Sequence, residues 1–337
     1  MESVNCTSRD ERFSFLQVFA IILVVVGHSF YQHEDNPVFF WIYTFHMPLF
    51  FFISGYLLRN SVLRSGKSLG EYCGWRFVLK KAKRLLLPYW LLSSLVFLPK
   101  SLMGSFAGRP VDASFESYAY MLLHPLENVI SIFWFLPTLF LVFMLVSCGG
   151  KIAGLFKLRK GCLLGLAVSF PLTFFFPRYS TDLLDYQGVL AFLFFFVLGY
   201  AVRGVDWSVV ARKKFVLFPV CFAISFAPFL LPEDVPGLDT LFACNGILMA
   251  LALAEIYGGG GFKFFKPFYG CSYTVYLFSW FFQVASQQVF LSVTGLPWGY
   301  GTALAITLGF FGPFAIYKGL VRFDRWRLVR LAKSLFV

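Results

Sequence analysis

The sequence predicts an all-α polytopic membrane protein, with about ten transmembrane helices in one bundle and both termini on the cytoplasmic side. Three observations predict this fold class: the chain is 58% hydrophobic, only 14% of its residues are charged, and its basic residues alternate between connectors. Soluble domains carry about 25% charged residues, because polar groups must cover their surface. A bilayer removes that requirement, and a helix needs roughly 20 apolar residues to cross it.

Ten apolar runs follow one another along the chain, separated by short polar connectors. They cover residues 13–31, 38–58, 85–103, 129–148, 161–177, 186–202, 215–231, 240–257, 268–293 and 301–321. Each run is long enough for a transmembrane helix. No linker, low-complexity tract or repeat interrupts them, so the sequence predicts one integral-membrane domain over residues 1–337.

The basic residues predict the orientation of these helices. Of the 29 lysines and arginines, all but Lys100, Arg109 and Arg178 fall before the first run, in every second connector, or in the tail together with Lys318 at the end of the last run. The opposite side carries ten acidic residues: Glu34, Asp35, Asp112, Glu116, Glu127, Asp182, Asp185, Glu233, Asp234 and Asp239. Cytoplasmic loops are enriched in Lys and Arg, so the basic side is predicted to face the cytoplasm. The net charge of +12 then reflects contact with the bilayer, and nothing in the sequence indicates a basic soluble module for nucleic acid.

Two histidines stand inside predicted spans, where ionisable groups are costly and mark candidate functional sites. His28 lies near the outer end of the first span, and His46 lies about two turns inside the second. Consecutive antiparallel spans commonly pack as neighbours, so both imidazoles are expected at one level in the outer half of the bundle. This pair predicts a reaction centre; the alternative is two histidines that serve only packing. Gln17 shares a helical face with His28, about 16 Å nearer the cytoplasm.

Further candidate contacts come from one basic stretch and three outer residues. Lys80, Lys83 and Arg84 share a helical face at the predicted cytoplasmic mouth of the third span. Such a face suits a phosphorylated ligand, or it anchors the span at anionic headgroups. The candidate substrate contacts are Trp41, Trp134 and Asn245, although a membrane-interface belt explains Trp134 equally well. No Cys or His group has the spacing of a metal site.

Five short segments carry a family resemblance. They are VVVGH at 24–28, FHMPLFFFISGYLL at 45–58, KRLLLPYW at 83–90, FWFLPTLF at 133–140 and SYTVYLFSW at 272–280. In this order they resemble the membrane acyltransferase-3 family, especially its sugar O-acetylase-like branch. The resemblance extends over nearly the whole chain and implies a ten-helix core that transfers an acyl group to a hydroxyl.

The resemblance also implies the reactants and the setting. The donor would be acetyl-CoA or another acyl-CoA, with no metal, and the acceptor a carbohydrate or glycolipid of the cell envelope. The protein would be a multi-pass protein of the plasma (inner) membrane of a bacterium. His28 matches the histidine of the family's first-helix motif, and His46 is typical of the sugar O-acetylase-like branch. The chain departs from the family at Gln17, which replaces a basic residue, at Ser14, which replaces an acidic one, and at Ser279, where many relatives have histidine.

The chemistry of these residues suggests a mechanism. A hydroxyl needs a base to attack a thioester, and neutral imidazole can accept that proton. His28 is the expected base, and His46 is expected to help it or to donate to the oxyanion. Gln17 would contact the acyl or pantetheine part of the donor, and the basic face of the third span its phosphates. The donor is cytoplasmic while the histidines are predicted nearer the outside, so either pantetheine threads inward or the acyl group is relayed.

Two other functions stay open from sequence alone. A transporter of glycans or lipid-linked sugars on the same scaffold would use the aromatic spans to stack on sugars. A structural partner without catalytic activity would explain the departures at Gln17 and Ser279.

Overall fold

A computed structural model describes residues 10–30, 36–103, 111–155, 161–231, 237–257, 262–294, 298–323 and 325–337, and their regular elements are all helical. The α-helices are α1 (Glu11–Ser29), α2 (Pro37–Tyr43), α3 (His46–Ser65), α4 (Leu69–Tyr72), α5 (Trp75–Met103), α6 (Phe115–Leu123), α7 (Phe135–Leu155), α8 (Gly161–Phe175), α9 (Tyr186–Val202), α10 (Ser208–Ile224), α11 (Leu238–Tyr257), α12 (Phe262–Phe265), α13 (Ser272–Thr294), α14 (Trp298–Arg322) and α15 (Arg327–Phe336). Short 3₁₀ turns join some of them.

The protein is an all-α polytopic membrane protein, as predicted. Every predicted apolar run coincides with a helix or a helix pair, from α1 to α14. In the described ranges, seven helical segments are long and apolar enough to cross a membrane, and α8 is a shorter apolar helix. The count of ten spans and the cytoplasmic position of the termini stay predictions.

The chain divides into two compact units. The first comprises Met1–Arg64 and Leu198–Lys333 with Val337, and the second comprises Ser65–Val197 with Ser334–Phe336. Helices α1, α2, α10, α11, α13 and α14 lie in the first unit, and α5 to α8 lie in the second. The single domain expected for residues 1–337 stays a prediction.

The second predicted span is broken rather than continuous. Helix α2 ends at Tyr43 and α3 begins at His46. The cause is Pro48, the third residue of α3, because a proline lacks the N–H for the preceding turn and its ring crowds the carbonyl four residues back. At the break, the Thr44 hydroxyl donates to the Trp41 carbonyl at 2.7 Å. Phe45 is fully buried and anchors the turn in the core of the first unit.

Within the first unit, the last residues of α9, from Leu198 onward, approach α3 so closely that only glycine fits. A Cβ on Gly199 would overlap the carbonyl oxygen of Phe52 and lie 2.7 Å from its carbonyl carbon. Backbone atoms cannot rotate away as a side chain can. Gly199 therefore sets the separation between α9 and the helix that begins with His46.

In the second unit, a buried carboxylate joins α7 to the start of α9. The Thr138 hydroxyl donates to Asp185 Oδ2 at 2.6 Å, and Asp185 is fully buried. Leu184 and Asp185 both have positive φ, at 58° and 53°, a conformation that costs non-glycine residues energy. A Cβ on Gly188 would collide with the Asp185 carboxylate, so the glycine makes room for it. The contact between Thr138 and Asp185 thus ties the short connector before α9 to α7.

Candidate active site

Tyr43 lies between the two histidines of the candidate site. Its hydroxyl is 3.2 Å from Nδ1 of His28, and its ring centroid is 5.9 Å from the His28 ring. On its other side, the Tyr43 ring centroid is 4.6 Å from that of His46. The end of α1 and the break between α2 and α3 thus bring His28, Tyr43 and His46 together. We call these three residues the histidine–tyrosine cluster.

The break in the second span determines which ring nitrogen of His46 carries the hydrogen. This side chain is 1% exposed, and its Nδ1 lies 2.9 Å from the carbonyl oxygen of Ile42. A carbonyl oxygen can only accept a hydrogen bond, so Nδ1 carries the hydrogen. In the neutral ring, Nε2 is then the nitrogen with the lone pair. His46 is therefore in the tautomer of a proton acceptor at Nε2.

His28 is half-buried in the last turn of α1, and its protonation depends on Tyr43. A hydroxyl both donates and accepts, so the contact at Nδ1 fits either tautomer. When Nδ1–H donates to the Tyr43 oxygen, Nε2 is free of hydrogen and can act as a base. Tyr43 then holds the imidazole in place and stabilises its charged form.

Gly27 allows the close approach of α1 to Tyr43. A Cβ at this position would lie 3.2 Å from Cε2 of Tyr43 and 3.3 Å from Cγ2 of Ile42. Both distances are tighter than ordinary van der Waals contact. Gly27 of the VVVGH segment thus lets the next residue, His28, lie within hydrogen-bond distance of the Tyr43 hydroxyl.

Replacing Tyr43 with phenylalanine is expected to lower about tenfold the kcat of the acyl transfer that the sequence predicts, which corresponds to the loss of one hydrogen bond. The KM of the acyl donor should stay unchanged, because Tyr43 orients His28 and does not hold the donor. The matched control is Tyr120→Phe, which removes the hydroxyl of a tyrosine stacked on His124 at 3.9 Å. Equal kcat values for Tyr43→Phe and the wild type would contradict this role.

Gln17 lies on α1 between the histidine–tyrosine cluster and the N-terminal end of the helix. It is half-buried, and its amide forms no hydrogen bond with the described residues. Toward the helix start, Arg12 is instead paired, with Nη1 2.7 Å from Oε1 of Glu255. The Gln17 amide is thus available to a ligand, whereas the nearest cation on α1 is already engaged.

The predicted substrate contacts Trp41 and Asn245 both face α10 in the first unit. The Trp41 indole N–H donates to the Ser225 hydroxyl at 2.7 Å, and the Asn245 amide donates to the Cys221 carbonyl at 2.8 Å. These bonds hold neighbouring helices together, and the structure does not bring either side chain into the histidine–tyrosine cluster.

Trp134, the third predicted substrate contact, is packed inside the second unit. It is 7% exposed, its ring stacks on Phe192 at 5.5 Å, and Tyr179 meets it edge-on at 5.4 Å. Protein rings therefore take up the positions around this indole at which a sugar would stack.

The predicted phosphate contacts Lys80, Lys83 and Arg84 are exposed on α5 in the second unit. Their neighbour Lys81 points differently. Its Nζ lies 3.5 Å from the centre of the Phe143 ring, a cation–π contact, and is only half-exposed. The helical spacing already places Lys81 off the face of Lys80, Lys83 and Arg84, but it does not predict the contact with Phe143, which comes from a later helix.

Sequence reasoning also missed Tyr43. The available signal was its position three residues before His46, which is about one helical turn.

Within the described residues, no three His, Cys, Asp or Glu side chains gather as a metal site would require.

Comparison with known proteins identifies the class of this membrane protein. A family profile described as an acyltransferase domain matches residues 10–318. The chain belongs to the acyltransferase-3 family. The acyltransferase domain thus runs from the start of α1 into α14 and contains the histidine–tyrosine cluster.

Two curated relatives of this acyltransferase-3 chain are nodulation proteins. The chain is 34% identical over 154 residues to nodulation protein NolL of Mesorhizobium japonicum. The aligned region covers 41% of this chain and 35% of that protein. It is 33% identical over 153 residues to nodulation protein NolL of Sinorhizobium fredii, covering 43% and 38% respectively. The chain thus matches little more than a third of the length of these relatives. No solved structure matches the chain.

Proposed function

We propose that this protein is an O-acyltransferase that moves an acyl group, in the simplest case acetyl, from acyl-CoA to a hydroxyl of a cell-envelope glycan or glycolipid. It would act in the plasma (inner) membrane of a bacterium. The observation that carries the proposal is the histidine–tyrosine cluster, which places two imidazoles around one phenol inside an acyltransferase domain.

The reaction has a simple balance of bonds and protons. The acceptor oxygen attacks the thioester carbonyl carbon while an imidazole nitrogen takes the hydroxyl proton. The carbon–sulfur bond then breaks, and the imidazolium returns the proton to the CoA thiolate. The products are an oxygen ester and free CoA. Nothing is oxidised or reduced, so the step needs only a base and a means of stabilising the oxyanion.

The contacts of the two histidines support different roles. His28 fits the base when its Nδ1–H donates to Tyr43, since Nε2 then accepts the proton. His46 in its neutral form offers a lone pair at Nε2, because its hydrogen is held by Ile42. The role of proton-accepting helper therefore suits His46 better than that of oxyanion donor, for which the ring would have to be charged.

The uncharged amide of Gln17 would contact the pantetheine or acyl part of the donor. It lies on the same face of α1 as His28, about 16 Å away. An amide suits this neutral part of the donor because it can donate to a carbonyl and accept from an amide N–H.

Removing the cations of the α5 face is expected to weaken donor binding. In the Lys83→Gln, Arg84→Gln double variant the KM of acetyl-CoA should rise about tenfold, because charge-assisted hydrogen bonds to the phosphates are lost. The kcat should stay near wild type, because these residues do not touch the reacting atoms. The matched control is Arg212→Gln with Lys213→Gln, two exposed cations on α10. An equal rise of KM in both double variants would indicate only a general effect of surface charge.

The function itself is tested with the purified full chain in proteoliposomes. Labelled acetyl-CoA is supplied with delipidated envelope glycan and, in a parallel assay, with envelope glycolipid from the source cells. We expect label in the glycan that mild alkali releases, as it does from an oxygen ester. Absence of transfer would contradict the proposal. Movement of glycan across the liposome membrane without binding of acetyl-CoA would indicate a transporter instead.

A further inference from the structure

A stripe of polar side chains runs along the face of α13 that contacts α1. Ser279, Gln283, Ser286 and Gln287 are spaced at i, i+4, i+7 and i+8, which places them on one side of the helix. Two of them bind the last turn of α1, directly beside His28. The Gln287 amide donates to the Ser29 carbonyl at 2.9 Å, and the Gln283 amide donates to the Ser29 hydroxyl at 2.9 Å.

Gln283 has a side-chain oxygen that is a hydrogen-bond acceptor without a donor among the described residues. Its Nε2 also donates to the Val25 carbonyl at 2.7 Å, which fixes the orientation of the amide, since a flipped amide would face one acceptor with another. The side chain is 3% exposed, and its Oε1 has no hydrogen-bond partner within the described part of the chain. Gly309 on α14 allows this arrangement, because a Cβ there would lie 2.7 Å from Cγ of Gln283.

Ser279, one turn away on the same face, is a second group without a partner. It is 1% exposed, and its hydroxyl forms no hydrogen bond with any described residue. In other serines of apolar helices in this protein, the hydroxyl donates a hydrogen bond to the carbonyl four residues back. The distances are 2.8 Å for Ser29, 2.6 Å for Ser147 and 2.7 Å for Ser169. The hydroxyl of Ser279 is thus oriented away from its own backbone.

Two neighbouring polar atoms without partners are expensive inside a membrane protein, where no bulk water compensates them. Buried polar groups are almost always hydrogen-bonded, so a pair on one face indicates a partner from outside the chain. The unpartnered Oε1 of Gln283 is an acceptor, which an unprotonated phosphate oxygen cannot serve, so the stripe fits a neutral hydroxyl compound better than a phosphate. An amide oxygen accepts from an O–H group, and a serine hydroxyl can donate to or accept from the next one.

We propose that Gln283 and Ser279 form the binding subsite for the hydroxyl-bearing carbohydrate acceptor. A sugar hydroxyl donates to Oε1 of Gln283, and an adjacent sugar hydroxyl bonds to Oγ of Ser279. Through Ser29, the subsite is tied to the turn of α1 that carries His28. This inference rests on the proposed function, and it assigns the acceptor side of that reaction to α13.

The test compares Gln283→Leu and Ser279→Ala with the wild type in the proteoliposome assay, using delipidated envelope glycan as the acceptor probe. The apparent KM for glycan should rise about tenfold or more in Gln283→Leu, because sites built to bind a hydroxyl lose discrimination when one partner is removed. A smaller rise, about threefold, is expected for Ser279→Ala. In Ser279→Ala, whose hydroxyl has no hydrogen-bond partner among the described residues, the KM for acetyl-CoA should stay unchanged. Gln288→Leu, on an exposed position of the same helix, is the matched control.

The outcomes separate this inference from the function on which it rests. A wild type that fails to acylate the glycan overturns both. An active wild type with unchanged glycan KM in both variants overturns only the acceptor subsite, and a gain in thermal stability of Ser279→Ala would then show that the stripe serves packing. If Gln283→Leu does not fold, Ser279→Ala decides alone, because the serine hydroxyl has no hydrogen bond to a described residue that the variant would lose.

Discussion

Alanine at His28 or at His46 is expected to lower the turnover of acyl transfer by about 10²- to 10⁴-fold, the usual contribution of a general base. The reason is that both imidazoles contact Tyr43, so removing either ring removes a proton acceptor or the group that positions it. Initial rates at saturating acetyl-CoA and glycan measure the effect. His124→Ala is a close control, because His124 also stacks on a tyrosine and contacts a backbone carbonyl, that of Tyr120 at 3.0 Å.

Replacing His46 with asparagine tests whether His46 acts in catalysis or only holds the chain at the break between α2 and α3. Its amide N–H can still donate to the Ile42 carbonyl, but it has no counterpart of Nε2. We expect His46→Asn to fold like the wild type and to be as slow as His46→Ala. Recovery of activity in His46→Asn would show that His46 only holds the chain at the break. Near wild-type turnover in both His28→Ala and His46→Ala would remove the mechanism altogether.

Alanine at Gly199 is expected to destabilise the protein by about 3 kcal/mol or more, the upper range for an overfilled core. The added methyl would meet the backbone of Phe52, which cannot turn aside. Helices α3 and α9 would have to separate, and His46 begins α3. Thermal unfolding of the purified protein in detergent should show a Tm lower by roughly 5 °C or more.

Gly319 on α14 provides the comparison for this variant. A Cβ there would meet no atom within 4 Å, so Gly319→Ala should be neutral or stabilise the helix by up to about 1 kcal/mol. A Tm for Gly199→Ala equal to that of Gly319→Ala would mean that α3 and α9 do not approach as closely as the structure shows.

The sequence predicts the helices well because a membrane requires long apolar runs, and such runs are visible one by one. It predicts their interruptions less well. Pro48 ends one helix and starts another, whereas α5 continues through both Pro88 and Pro99. The difference depends on whether neighbouring groups satisfy the freed carbonyl, and a single sequence does not show those neighbours.

The residues of the candidate site can likewise be predicted only in part from the sequence. His28 and His46 stand out because an ionisable side chain is rare in an apolar run. Tyr43 does not stand out in a chain that is 21% aromatic. Gln283 becomes distinctive only when Val25 and Ser29 accept hydrogen bonds from its amide nitrogen and Gly309 leaves room for its side chain. Those contacts join residues far apart in the sequence.

The break in the second span has a consequence for how the site tolerates genetic change. Ile42 serves His46 through its main-chain carbonyl, which every amino acid possesses. Apolar substitutions that fill the buried space of the Ile42 side chain can therefore accumulate without moving the hydrogen on His46. His28 has no such protection, because its partner is the hydroxyl of Tyr43, and a single nucleotide change from tyrosine to phenylalanine removes it. The two imidazoles lie on either side of Tyr43, yet random substitution would disrupt the arrangement of His28 sooner than that of His46.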